Sequence, residues 1–177
     1  LPNLPVVNAR FREEGNPLTP AYRFHHRVEA EQVRALADSG FGYLYRDSEA
    51  FFLEQQSIHG AANKRMIEAV RANPRVQGFC IHALVAGDWI LGAGLLDIWR
   101  EPKTDAYSST KAANQPRIVS IRVLPRNVYA EKGARLTVTG INELEAVKAR
   151  VEVEVVSAKG EEIFSEQVSP EWTSGVS

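Results

Sequence analysis

The sequence holds a single cysteine, Cys80, so no disulfide can close within the chain and no Cys-rich zinc site can be built. It has no surplus of either charge: 21 Lys and Arg stand against 22 Asp and Glu, for a net charge of -1. That balance lacks the electrostatic footprint of a nucleic-acid or anionic-membrane binder, so neither is expected as a partner. No apolar run approaches the ~20 residues of a membrane-spanning helix. There is no internal repeat, low-complexity tract, glycine-rich phosphate loop or Ser-His-Asp arrangement. Leu1–Val7 lacks the charged start and cleavage pattern of a signal peptide. What remains is a composition with 44% hydrophobic and 24% charged residues, enough to build a core.

The hydrophobic period changes once along the chain. Before residue 116 the pattern is mostly helical, with short β-leaning runs. Val6, Val7 and Phe11 suggest a strand over Pro5–Phe11, and Gly15, Asn16, Pro17 and Pro20 mark a loop after it. Arg27–Ser39 reads as a helix closed by Gly40. Asp47 or Ser48 can cap the next helix. Its apolar positions are Phe51, Phe52, Ile58, Ala62, Met66 and Val70, and it should stop near Asn73-Pro74 because the residue before proline avoids the α region. Val76–Leu84 is apolar on both alternations, as in a fully buried strand. A glycine-rich loop with Asp88 and Trp89 follows, then a short apolar segment, Leu95–Trp99, and a polar stretch, Lys103–Gln115. After Pro116 the period is 2: Val119, Ile121 and Val123, then Leu136 and Val138, then Val151, Val153 and Val155 alternate with polar residues. Ala158-Lys159-Gly160-Glu161 fits a hairpin turn into a further strand, Ile163–Val168. Four strands are too few for an immunoglobulin-like sandwich of about seven, so a truncated module is expected.

The segments Val76–Leu84, Gly87-Asp88-Trp89, Gly94–Arg100 and Pro102-Lys103 together resemble the last barrel strand and barrel exit of family 2 glycoside hydrolases, the β-galactosidase-like and β-glucuronidase-like enzymes. The resemblance extends over most of Ile58–Val168. It implies α/β plus all-β architecture: a partial (β/α)8 barrel made of its last strands and helices over residues 1–115, then the start of an immunoglobulin-like β-sandwich over 116–177. It implies a carbohydrate substrate and a retaining two-carboxylate mechanism; no cofactor and no metal are expected. It also implies that the chain is an excerpt, with the N-terminal part of the same polypeptide, including the acid/base residue, lying upstream.

Retaining hydrolysis needs two carboxyl groups ~5–5.5 Å apart. The resemblance places the nucleophile at the end of Pro5–Phe11. One register puts Arg10 there and keeps Phe11 at the family's aromatic position. The other supplies a carboxylate, Glu13, from Glu13-Glu14-Gly15. Glu13 is therefore the candidate nucleophile, and Arg10 in its place marks a non-catalytic sugar-binding or scaffold relative. Active sites of this fold lie at the C-terminal face of the barrel. His82, Asp88 and Trp89 are accordingly the candidate sugar-binding residues. Each has a plainer reading: Glu13 as a solvated loop residue, His82 as a satisfied core histidine, and Asp88 and Trp89 as a turn cap and a packed indole. Trp99, Phe51, Phe52 and Met66 read as core, Arg100 and Lys103 as surface or inter-domain contacts, and Cys80 as a small buried hydrophobe. His25-His26 is not a helical i, i+4 metal pair.

Overall fold

A computed structural model describes residues 1–15, 18–85, 93–129 and 131–176. The chain divides into two compact units: Leu1–Ile67 with Phe79–Ala113, and Glu68–Gly78 with Asn114–Ser177.

The first unit is helical. Helix α1 spans Leu4–Glu13, where the sequence suggests a strand. The reason is local. Pro5 sits in the first turn, where its missing N–H costs nothing. Leu4, Val7, Asn8 and Phe11 recur at i, i+3, i+4 and i+7, and all four are buried. Asn8 is the position that hides this period, because a polar residue there breaks the apolar stripe.

Helix α2 spans Pro20–Asp38 and starts seven residues before Arg27. Thr19 is its N-cap, its side chain accepting from the Tyr22 N–H at 3.2 Å, and Pro20 occupies the first turn. Gly40, at φ +76°, follows its end as expected. Helices α1 and α2 meet through Phe11, whose ring lies 5.9 Å from Tyr22 and 5.7 Å from His25. Buried His25 donates from Nδ1 to the Ala21 carbonyl at 2.7 Å, a structural role.

Helix α3 spans Ser48–Arg71; Asp47 caps it by accepting from the Ala50 N–H at 2.8 Å. Its bounds match the sequence signals, but its buried face does not. Ile58 and Met66 are exposed, at 64% and 60%, while Phe52, Gln56, Gly60, Asn63 and Ile67 are buried. Three of these five are not apolar side chains. They face helix α4, Thr104–Ala113, and its first turn. There the Gln56 Oε1 accepts from the Thr104 hydroxyl at 2.7 Å, and the Asn63 amide donates to the Thr110 hydroxyl at 3.1 Å. Polar pairing rather than apolar contact fixes this seam.

Val76–Leu84 forms no strand among the described residues. Phe79, Ile81, Leu84 and Cys80 are exposed, which corrects the expectation of a buried strand and a buried thiol. Only Val85 continues into a ladder-like contact, a parallel bridge to Leu96.

The second unit is antiparallel β. Strand β1, Arg117–Leu124, pairs with β2, Arg135–Asn142, in a register running from Arg117↔Asn142 to Leu124↔Arg135. Strand β7, Gly175–Val176, adds two residues to the other side of β2. Strand β3, Val147–Lys148, pairs with β6, Glu171–Trp172. Strand β4, Val151–Val156, pairs with β5, Glu162–Val168, with an irregularity at Val155/Val156. The four long strands fall where the period-2 alternation predicts them. The β4–β5 turn is tied by Ser157, whose hydroxyl accepts from the Lys159 and Glu161 N–H groups at 3.2 and 3.1 Å. At the unit's centre Gly140 lies against the Trp172 indole. Buried Asn142 gathers the chain around it, and buried Glu68 accepts from the Ser120 hydroxyl at 3.2 Å.

Candidate functional site

Residues Leu95–Lys103 fold into a tight reversal in the first unit. Leu95 and Leu96 both donate their N–H to the Leu84 carbonyl, at 2.8 and 2.9 Å. The chain then turns back on itself: Asp97 N–H donates to the Glu101 carbonyl at 2.8 Å, Leu96 bridges Pro102, and Lys103 N–H donates to the Leu95 carbonyl at 2.9 Å. The Asp97 carboxylate holds the turn from inside, its Oδ1 accepting from the Trp99 and Glu101 N–H groups at 2.8 and 2.9 Å. Arg100, at φ +66°, occupies the left-handed region at the tip. Asp97→Ala should cost about 2 kcal/mol, because two turn N–H groups lose their acceptor. Asp97→Asn, which keeps an oxygen in place, should recover most of it in urea denaturation.

This reversal, α1 and the middle of α3 enclose a cleft of about 190 Å³. From α1 come Asn3, Val6, Val7 and Arg10; from α3 comes Gln56; from the reversal come Asp97, Trp99, Glu101 and Lys103. The Arg10 guanidinium carbon lies 4.8 Å from the Trp99 ring centroid, a cation–π distance, and the Phe11 ring meets the indole edge-on at 4.6 Å. Arg10 also pairs with Glu14 at 2.9 Å and with Glu101 at 3.8 Å. Asn3 donates to the Glu49 carboxylate at 2.9 Å, while its own Oδ1 is buried without a protein partner.

Lys103 is the most unusual group in the cleft. It is only 2% exposed, and its ammonium donates to the Ala93 carbonyl at 2.7 Å. Burial lowers its pKa to about 8, with Asp97 opposing the shift. Neighbouring His59 is held below its ordinary value, by burial first and by the Lys103 charge second. The folded state thus holds the Lys103 proton less tightly than the unfolded chain, whose value is near 10.5. Between pH 8 and 10.5 the unfolded state binds more protons, so folding stability should rise with pH across that window and be lowest below it. Urea denaturation at pH 7.5 and 9.5 should show this rise in the wild type, beyond whatever change Lys103→Met retains.

The cleft brings together two cations, two carboxylates and two side-chain amides beside an indole. Val6, Val7 and Pro102 also line it, so the cleft pairs an apolar wall and an indole with polar groups that carry no net charge. It does not present a two-carboxylate catalytic pair, because Asp97 is committed to its own turn. Of the residues singled out from the sequence, Glu13 is exposed in the last turn of α1 and His82 is exposed in the extended segment; neither lines the cleft. Asp88 and Trp89 lie outside the described residues. Arg10 does line it. Trp99, expected in the core, is half-buried and lines the cleft, and Lys103, expected at the surface or in an inter-domain contact, is buried within the first unit. Gln56 and Asn3 were not foreseeable, since an amide in a helix carries no pattern of its own; Lys103 had a signal only in following the Asp97 turn and Pro102.

Among the described residues no group of three or more His, Cys, Asp or Glu side chains is placed to hold a metal ion, and no helix is long and apolar enough to cross a membrane. Comparison with protein-family models, with curated proteins and with solved structures finds no match.

Proposed function

We propose that this chain is the closing portion of a glycoside hydrolase that cleaves O-glycosidic bonds by a retaining two-carboxylate mechanism, and that it supplies sugar-contacting side chains rather than the catalytic pair. The observation that carries this reading is the cleft itself: the segment resembling the family's barrel exit, Leu95–Lys103, forms one of its walls, and the lining sets charged and amide side chains beside the Trp99 ring and the apolar Val6, Val7 and Pro102. At about 190 Å³ the cleft is smaller than the ~300 Å³ at which ligand sites usually begin, so it holds part of a sugar rather than an oligosaccharide. The exposed apolar residues of Val76–Leu84 fit a segment that other parts of a larger polypeptide cover.

The isolated 177-residue chain should turn over none of a panel of nitrophenyl glycosides, while a neutral monosaccharide at millimolar concentration should shift the Trp99 indole N–H resonance. Turnover by the chain alone would contradict the division of roles. An indole signal indifferent to every neutral sugar would remove the carbohydrate reading altogether.

A second reading has its own observation. Arg10, not Glu13, faces the cleft, which favours a non-catalytic carbohydrate-binding or scaffold relative. A longer polypeptide that includes the upstream barrel separates the two. Hydrolysis that survives Glu13→Gln supports the enzyme with its catalytic pair elsewhere; sugar binding with no hydrolysis supports the scaffold.

A further inference from the structure

We propose that the second unit associates with a second copy of this chain by edge pairing, the free edge of β1 taking up β4 of the partner copy. Three observations lead there. Sheet order places β1 at an edge with β2 on one side only, and β4 with β5 forms a separate two-stranded ribbon. Such a ribbon is marginal in water unless further strands or a packed face support it, and unpaired edge N–H and C=O groups are templates for another strand. Ile121, Val123, Val155 and Phe164, on the apolar alternation of the two ribbons, are exposed, and Val151 and Val153 are half-buried.

Charge selects the partner. Residues 117–142 carry five basic side chains and one acidic, whereas residues 151–168 carry five acidic and one basic. β1 against a second β1 would repel; β1 against β4 attracts. The alternation matches as well. With β4 antiparallel to β1 and Arg122 opposite Glu152, Val119 falls opposite Val155, Ile121 opposite Val153, and Val123 opposite Val151. One face of the joint then carries three β-branched pairs and the other an Arg–Glu pair, both of which stabilise a ladder. A three-stranded and a two-stranded sheet become one of five strands. The contact is heterologous, so repeated use builds an open chain of copies rather than a closed dimer.

Sedimentation velocity of the full chain over a wide concentration range tests this. Wild type should associate as concentration rises. Arg122→Glu and Glu152→Arg should each weaken association on the order of tenfold, because each sets like charges opposite one another. The double swap, R122E with E152R, should restore it. Both positions are exposed, and unchanged far-ultraviolet circular dichroism will show that the variants fold. A wild type that stays monomeric throughout overturns the proposal. So does association that is equal in all four proteins, which would mean that uncovered apolar surface alone drives it, and so does a double swap that fails to recover.

Discussion

Gly60→Ala should destabilise the first unit by about 3 kcal/mol, against the ordinary expectation for a glycine inside a helix. Mid-helix, alanine is better than glycine by ~1 kcal/mol, since glycine loses more backbone freedom on folding. Here the neighbour decides the sign. A Cβ on Gly60 would overlap the Asp105 carbonyl oxygen and lie 2.7 Å from its carbonyl carbon. These are backbone atoms at the start of α4, so no side-chain rotamer can yield. The first turn of α4 would have to lift, and with it buried Ala106 and the Thr110 hydroxyl that accepts from Asn63. For a unit of this size the loss corresponds to a melting temperature lower by roughly 12 °C. Ala61→Gly, at the exposed next position, is the control and should cost only ~1 kcal/mol. A Gly60→Ala protein that melts at or above the wild-type temperature would show that α3 and α4 are not this close.

The sequence exposed the β half of the fold more clearly than the helical half, for a physical reason. Half-buried strands alternate strictly, so Val119, Ile121 and Val123 or Val151, Val153 and Val155 declare their element. Strands β3, β6 and β7 have two residues each, too few for any period to register. In the helical half, caps were readable and faces were not. Asp47 and Pro74 bracket α3, yet the buried face runs through Gln56, Gly60 and Asn63, whose burial depends on partners about 45 to 48 residues away. Pro20 reads as loop chemistry, whereas it opens α2 behind the Thr19 N-cap; only the helix that follows reveals that role.

The same division holds at the cleft. Asp97, Trp99 and Lys103 are close in the chain, yet the pattern gives Trp99 only as core and Lys103 only as a surface or inter-domain residue, because the turn that joins them has no period of its own. Their meeting with Arg10 and Gln56 is tertiary and had no trace in spacing. The expectation that Glu13 faces a site depended on Pro5–Phe11 being a strand. In a helix, a residue two beyond Phe11 lies on a different face from Phe11, and Glu13 accordingly points to solvent.

Asn142 was not singled out by any pattern, and its replacement should have the largest effect in the second unit. Its side chain is 0% exposed and every polar atom is used. Oδ1 accepts from the Arg117 guanidinium at 3.0 Å and the Leu144 N–H at 3.1 Å; Nδ2 donates to the Glu145 and Trp172 carbonyls, both at 3.0 Å. One amide thus ties the end of β2, the turn after it and β6. Asn142→Ala removes the partner of all these groups and should cost about 3–4 kcal/mol in denaturant unfolding. Asn142→Asp has the same shape and isolates the chemistry. A carboxylate cannot donate to the two carbonyls, and burial penalises its charge; exposed Arg117 offsets only part of this, because solvent screens it. The folded state would then hold the proton of the introduced carboxyl group more tightly than the unfolded chain does. The variant's stability, relative to wild type, should be nearest normal below the ordinary aspartate value and fall as pH rises through the raised one. A deficit of the same size at pH 3.5 and pH 7 would mean that the loss comes from disturbed packing and not from the two carbonyls that this amide serves.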